Sequence, residues 1–286
     1  MMNLTKIHPL TYIIYYLLLI VLAFMFNNPY YIATFIICIS ILLVLQGVKS
    51  EFKGIIQLFI PFAIIIALLN PITCKEGITR IYLFGSYFIT VEALVYGILM
   101  SLSFLLVILT FTAYNNSVTY QDMLYVFSKK FPNISMIIVM ALRFIPLLNT
   151  RISETRKISK LSHHEDYTFI EQIKQFAQNI GVVVSFSLEE AMVTAKSMKS
   201  RGYNVAERTS YLIYKFRTLD IILLTIIVVC LIISIIGFAN GYGSITIYPS
   251  INFSFSNLPL NIYYLAFVVL LLPLIYLELR EKIQWH

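Results

Sequence analysis

Residues 219–239 read LDIILLTIIVVCLIISIIGFA, twenty-one positions with a single charge, Asp220, at the second. A bilayer core about 30 Å thick is crossed by about 20 apolar helical residues, so this stretch alone is long enough to span a membrane. Working outward, five further stretches repeat the pattern once their flanks are counted: 10–26, 30–45, 55–69, 89–113 and 258–277. The third is short and carries Pro61, which a span tolerates where neighbouring helices cover the freed backbone groups. The first follows Lys6 and shows no small-x-small cleavage site before Asn27-Asn28-Pro29, so it is expected to be a retained helix rather than a signal peptide. The composition agrees: of 286 residues, 59% are hydrophobic and 12% charged, against about 25% charged in soluble domains. An ordinary soluble domain is excluded. The expected fold class is an all-α integral membrane protein with about six transmembrane helices.

Charge sets the topology. There are 21 Lys and Arg against 14 Asp and Glu. Nineteen of the 21 cations share one side if that side holds both termini, the short linker after the second span and the long 115–218 segment; only Lys75 and Arg80 oppose them. The positive-inside rule then places both termini in the cytoplasm. Three regions follow: four membrane helices in 1–114, a basic cytoplasmic block of helices in 115–218, and two membrane helices in 219–286. The uncharged 240–257 loop faces outward. No internal repeat is visible, so the inverted-repeat signature of many secondary transporters is missing.

Several chemistries drop out on motif grounds. Cys38, Cys74 and Cys230 form no C-x-x-C or Cys/His ligand spacing, which removes zinc ribbons and dithiol redox sites. There is no G-x-x-x-x-G-K-[ST] loop to cradle nucleotide phosphates, so a partner must bind any ATP that is used. Neither H-E-x-x-H nor G-x-S-x-G occurs, and no acidic cluster or paired intramembrane carboxylates suggest a lipid-modifying enzyme.

The basic block is the informative part. Residues 134–148 are apolar but interrupted by Arg143 and Pro146, and a crossing here would put the following cations on the wrong side. This stretch is therefore expected to lie at, or dip into, the cytoplasmic interface. Residues 169–201 read FIEQIKQFAQNIGVVVSFSLEEAMVTAKSMKSR, with Phe169, Ile173, Phe176, Ile180, Val184, Leu188, Ala191, Ala195 and Met198 recurring every three or four positions. That period predicts a helix about 50 Å long. Its apolar stripe must be buried on something: the partner helix over 134–161, the membrane surface or another protein.

Ser197-Met198-Lys199-Ser200-Arg201-Gly202-Tyr203 ends this helix. Gly202 suits a left-handed C-terminal cap, and Lys199 and Arg201 suit the negative end of the helix dipole. An arginine at a helix tip also presents a planar fork able to grip a carboxylate bidentately. Both roles can hold at once. Arg143 is either a functional intramembrane charge or an interfacial cation that snorkels to phosphates. His163-His164-Glu165-Asp166 resembles a metal cluster in composition only, because neighbouring residues point apart and no second pair stands at ligand spacing; a solvated turn is expected. Glu92 and Asp220 begin the fourth and fifth spans and are expected to be interface residues.

The run Ser187-Leu188-Glu189-Glu190-Ala191-Met192, continued by Ala195 to Tyr203 and by Arg208-Thr209, resembles the transmembrane T component of energy-coupling factor transporters, a family that includes the cobalt-transporter membrane subunits. Supporting stretches are Asn70-Pro71 through Gly77, Ile89 to Gly97, and Arg143-Phe144-Ile145-Pro146. The resemblance implies a non-catalytic scaffold joining two cytoplasmic ATPase subunits, which hold ATP and Mg, to a substrate-binding membrane S component that captures a vitamin or transition-metal ion. It implies two long coupling helices with Ala-Arg-Gly-like tips that insert into grooves on the ATPases. Ser200-Arg201-Gly202, flanked by Met198 and Tyr203, matches the second tip. The first falls near Leu161-Ser162-His163 and lacks both arginine and glycine, so the two contacts are expected to be unequal. By the same resemblance Arg143, Pro146 and Arg208 are interface or structural residues. The alternative of another class, a self-contained secondary transporter or channel, predicts polar residues facing a mid-membrane cavity, and few exist.

Overall fold

The computed structural model describes residues 8–74, 77–84, 87–162, 169–203, 205, 214, 216–243, 245, 247 and 261–284. Proline and a polar residue start the first two helices. In α1 (Pro9–Met25) Pro9 sits at the first helical position and His8 Nδ1 accepts the Leu10 amide at 3.2 Å. In α2 (Pro29–Leu45) Pro29 does the same and Asn28 Oδ1 accepts the Tyr30 amide at 3.1 Å. Proline costs no hydrogen bond at a helix start, where the amide has no intrahelical partner. α3 (Lys49–Thr73) follows, carrying Pro61 and Pro71. An antiparallel hairpin, β1 (Arg80–Phe84) and β2 (Tyr87–Thr90), leads into α4 (Val91–Ser117). Next come α5 (Tyr120–Lys130), α6 (Pro132–Ser162) and α7 (Phe169–Ser200), then α8 (Thr218–Ala239) and α9 (Ile262–Gln284).

All six expected spans are helices. Among the described residues five helices are long and apolar enough to cross a membrane, four of them in α3, α4, α8 and α9, while α1 and α2 are shorter apolar helices of 17 residues. The fifth lies in α6. Arg143 and Pro146 do not break it, so the apolar stretch expected at the interface joins its flanks into a continuous Pro132–Ile158 segment of span length. The fourth span begins at Val91 rather than 89, because Ile89 pairs with Ile81 across the hairpin.

The chain divides into two units, Met1–Asp122 with Tyr214–His286, and Met123–Ile213. In the first, Tyr16, Leu43, Phe267 and Leu270 are fully buried in one core to which α1, α2, α4 and α9 contribute. The Phe267 ring lies 5.2 Å from Phe26, 5.1 Å from Tyr31 and 5.7 Å from Phe35. Lipid tails are as apolar as these side chains, so burial alone does not hold spans together; close packing and polar contacts must. The Tyr15 hydroxyl donates to the Leu270 carbonyl at 2.7 Å, beside the turn that Pro273 interrupts. Ser117 Oγ is 2.7 Å from Tyr16 Oη and also 2.7 Å from Gln46 Nε2, which reaches Glu278 Oε1 at 3.2 Å. One polar network thus joins α1, α2, α4 and α9 and satisfies groups that lipid cannot.

α3 and α4 touch through small residues. A Cβ at Gly97 would lie 3.1 Å from both Cα and O of Ala67, so any larger residue would push the two backbones apart. Asn70 Nδ2 adds a 2.8 Å hydrogen bond to the Ala93 carbonyl. Further along, the two helices border an open apolar groove of about 1050 Å³, with Leu58, Phe59, Phe62 and Ile108 in its walls.

In the second unit α6 and α7 pack together, with the Arg156 guanidinium 5.4 Å from the Phe176 ring centroid. Much of the α7 stripe stays uncovered: Ile173, Phe176, Ile180, Val184 and Leu188 are all exposed.

Candidate functional site

The end of α7 follows from its sequence. The amides of Arg201, Gly202 and Tyr203 donate to the carbonyls of Ser197, Lys199 and Met198, each at 3.1 Å. Gly202 has φ +79°, and its pair of reversed bonds with Tyr203 is the Schellman arrangement, which satisfies carbonyls that the helix leaves orphaned. Among the described residues only Val205 Cγ2, at 3.9 Å, approaches the place of a Cβ on Gly202. Backbone conformation, not space, requires glycine there. The chain therefore turns back immediately after Arg201 and leaves Ser200, Arg201, Gly202 and Tyr203 exposed at the tip, with Met198 half-buried behind them. Ser200 Oγ folds back onto the Ser197 carbonyl at 2.9 Å.

A cap explains the glycine but not the arginine. α2 and α8 finish with the same reversed bonds at Gly47 and Gly241, and their capping positions hold Gln46 and Asn240. Among the described residues the Arg201 guanidinium makes no ion pair or hydrogen bond. A fork of five donors on a helix end, close to Lys199, has the chemistry to grip a carboxylate bidentately.

The first tip of the pair is placed less fully. Leu161 and Ser162 form the end of α6, while His163 lies outside the described residues, as do His164, Glu165, Asp166 and Arg208. Among the described residues no group of three His, Cys, Asp or Glu side chains could hold a metal. Arg143 is exposed on α6, its guanidinium 5.8 Å from the Phe144 ring. Pro146, one turn further, remains inside the helix, where its carbonyl accepts Thr150 Oγ1 at 3.1 Å.

Two expected interface carboxylates are in fact buried. Glu92 is 2% exposed and accepts the Thr79 amide at 3.2 Å and its hydroxyl at 2.6 Å. Asp220 is 1% exposed and accepts the Arg217 amide at 2.8 Å. Asp220 closes the start of α8, where a free amide would otherwise face an apolar surrounding, whereas Glu92 ties Thr79, ahead of the hairpin, to the first turn of α4. A third, Asp122, escaped sequence reasoning, although Thr119-x-x-Asp122 is a helix-start signature.

Apolar helices of span length, together with long amphipathic helices of which one ends in a cationic tip, define an all-α multi-pass membrane protein. Residues 3–211 match the family model described as CbiQ, cobalt transport protein, and the chain belongs to that family. It is also similar to the energy-coupling factor transporter transmembrane protein EcfT of Macrococcus caseolyticus (strain JCSC5402), with 28% identity over 247 residues, which cover 80% of this chain and 91% of that protein. The T-component resemblance read from residues 187–209 and the family match agree.

Proposed function

We propose that this chain is the transmembrane scaffold of an energy-coupling factor importer, converting ATP hydrolysis by two partner ATPases into reorientation of a substrate-binding membrane subunit. The observation that carries this reading is the α7 tip, a long amphipathic helix ended by a glycine turn that leaves Arg201 exposed. The chain itself binds no nucleotide in this scheme, since its sequence has no phosphate-cradling loop; ATP and Mg belong to the ATPases. Nor does it choose the cargo, a vitamin or transition-metal ion, which the S component captures. The uncovered apolar stripe of α7 supplies a surface for membrane-embedded partners. Both termini and the α5–α7 segment face the cytoplasm, as the distribution of 19 cations on one side supports.

Co-expression of the chain with its genomic neighbours tests the proposal. Two ATPase subunits, identical or homologous, should co-purify with it, and the isolated chain should not turn over ATP. Hydrolysis retained by the isolated chain after contaminating ATPases are removed would reject the scaffold reading.

A further inference from the structure

The chain passes from the first unit into the second, Met123–Ile213, after Asp122 and returns to the first at Tyr214. These two crossings are tied to each other. The Tyr214 hydroxyl donates to Asp122 Oδ1 at 2.7 Å. The other carboxylate oxygen, Asp122 Oδ2, accepts the Thr119 amide at 3.1 Å and the Thr119 hydroxyl at 2.6 Å, closing the first turn of α5. Asp122 is 7% exposed. One carboxylate thus caps the helix by which the chain enters the second unit and grips the residue by which it returns.

Three residues later the return strand is gripped again. Asp220 Oδ2 accepts the Arg217 amide at 2.8 Å, and Asp220 Oδ1 accepts the amide of His8, the capping residue of α1, at 3.0 Å. The His8 ring stacks on Phe216 at 3.9 Å with 13° between planes and meets Tyr214 edge-on at 6.2 Å. The short strap of Tyr214, Phe216 and Arg217 is therefore fastened to the starts of α5, α1 and α8. Charged acceptors on backbone amides are among the stronger hydrogen bonds, and in buried surroundings they are costly to break.

We propose that this strap is the clasp through which movement of α7 reaches the membrane helices, with Asp122 and Tyr214 as positioning residues that make the entry and exit of the second unit move as one. The inference rests on the scaffold reading above. A unit attached by two independent tethers could tilt without displacing α1 and α8. Pinned at one point, its displacement is delivered to the strap, and from there through Asp220 and His8 to both spans. The clasp thereby gives a role to two buried carboxylates, Asp122 and Asp220.

Tyr214→Phe removes one hydroxyl and leaves the ring contact with His8, so it is the mildest probe; Asp122→Asn is the second. Two measurements separate the clasp from the scaffold reading. In the isolated chain, amide hydrogen exchange over 119–123 should quicken at least about tenfold in Tyr214→Phe, with the double variant no faster than Asp122→Asn. In the complex reconstituted with ATPases and S component, both variants should assemble and hydrolyse ATP within about twofold of wild type, while uptake per ATP falls at least about fivefold. Unchanged exchange in Tyr214→Phe overturns the clasp, and so does unchanged uptake per ATP in both variants. A parallel loss of assembly overturns the positioning role by making these residues merely structural. If the wild-type chain retains no ATPases, the scaffold reading falls while the exchange result still decides whether the clasp exists.

Discussion

Reversing the charge of Arg201 tests the proposed docking apart from helix capping, because the capping bonds do not use the guanidinium. The three bonds that end α7 use the backbone amides of Arg201, Gly202 and Tyr203. None involves the guanidinium. Arg201→Glu therefore keeps the turn and loses only the interaction of an exposed cation with the helix dipole, about 1 kcal/mol. If the guanidinium instead pairs with a buried carboxylate on an ATPase, reversal replaces attraction by repulsion and strands the partner charge. That costs about 2–5 kcal/mol of association, or about 30-fold to several thousand-fold in Kd. Arg201→Lys keeps the charge but loses the fork, and should fall between wild type and Arg201→Glu. The assay is affinity of the nanodisc-embedded chain for the purified ATPases, with ATP-driven uptake in parallel and circular dichroism to confirm that α7 persists. At the first tip there is no such charge, so Ser162→Ala should change affinity by less than about 0.5 kcal/mol, the usual range for surface substitutions. Wild-type affinity and uptake in Arg201→Glu would refute the docking role.

In a background lacking Cys38, Cys74 and Cys230, an impermeant maleimide applied to intact cells should label Ser250→Cys and not Ser162→Cys; outside labelling of position 162 would overturn the assigned orientation. Gly97→Leu should wedge α3 from α4, since even a Cβ there would meet the Ala67 backbone at 3.1 Å; an overpacking loss of about 1–3 kcal/mol is expected in detergent unfolding, with Gly97→Ala milder, and wild-type stability in both would show that the helices do not need this contact.

The sequence made the long elements legible and the short ones obscure, for a physical reason. A span or an amphipathic helix repeats its signal over twenty or thirty positions, as in 219–239 and 169–201, and both were found within a few residues of their ends. The hairpin at Arg80–Thr90 was missed. Its flanking Ile89-Thr90 is apolar enough to be absorbed into the fourth span, although Gly85-Ser86 between aromatic and β-branched runs is a turn signature. The 11-residue α5 was missed because Tyr120–Lys130 carries mixed polarity and is announced only by Thr119 and Asp122. Carboxylates at helix starts were the other weak point. From spacing alone Glu92 and Asp220 are indistinguishable from solvent-facing interface residues; what buries them is contact with Thr79 and with His8, the latter more than two hundred positions away. The turn at Ser200-Arg201-Gly202 was legible as a helix cap, because a helix terminus is a local structure written in four or five consecutive residues.

The uncovered stripe of α7 bears on how the protein is made and kept in the cell. Ile173, Phe176, Val184 and Leu188 leave a row of large apolar side chains open along one face of α7, and Phe186 and Val193 are exposed on the opposite face. Patches of this kind are recognised by chaperones and proteases and drive self-association when left bare. If the stripe is covered by partners as proposed, copies made in excess of them would be open to removal, and cellular abundance should track the partners' supply rather than the rate of this chain's own synthesis. An assembly surface of that kind would also report stoichiometry, with quality-control degradation as its readout.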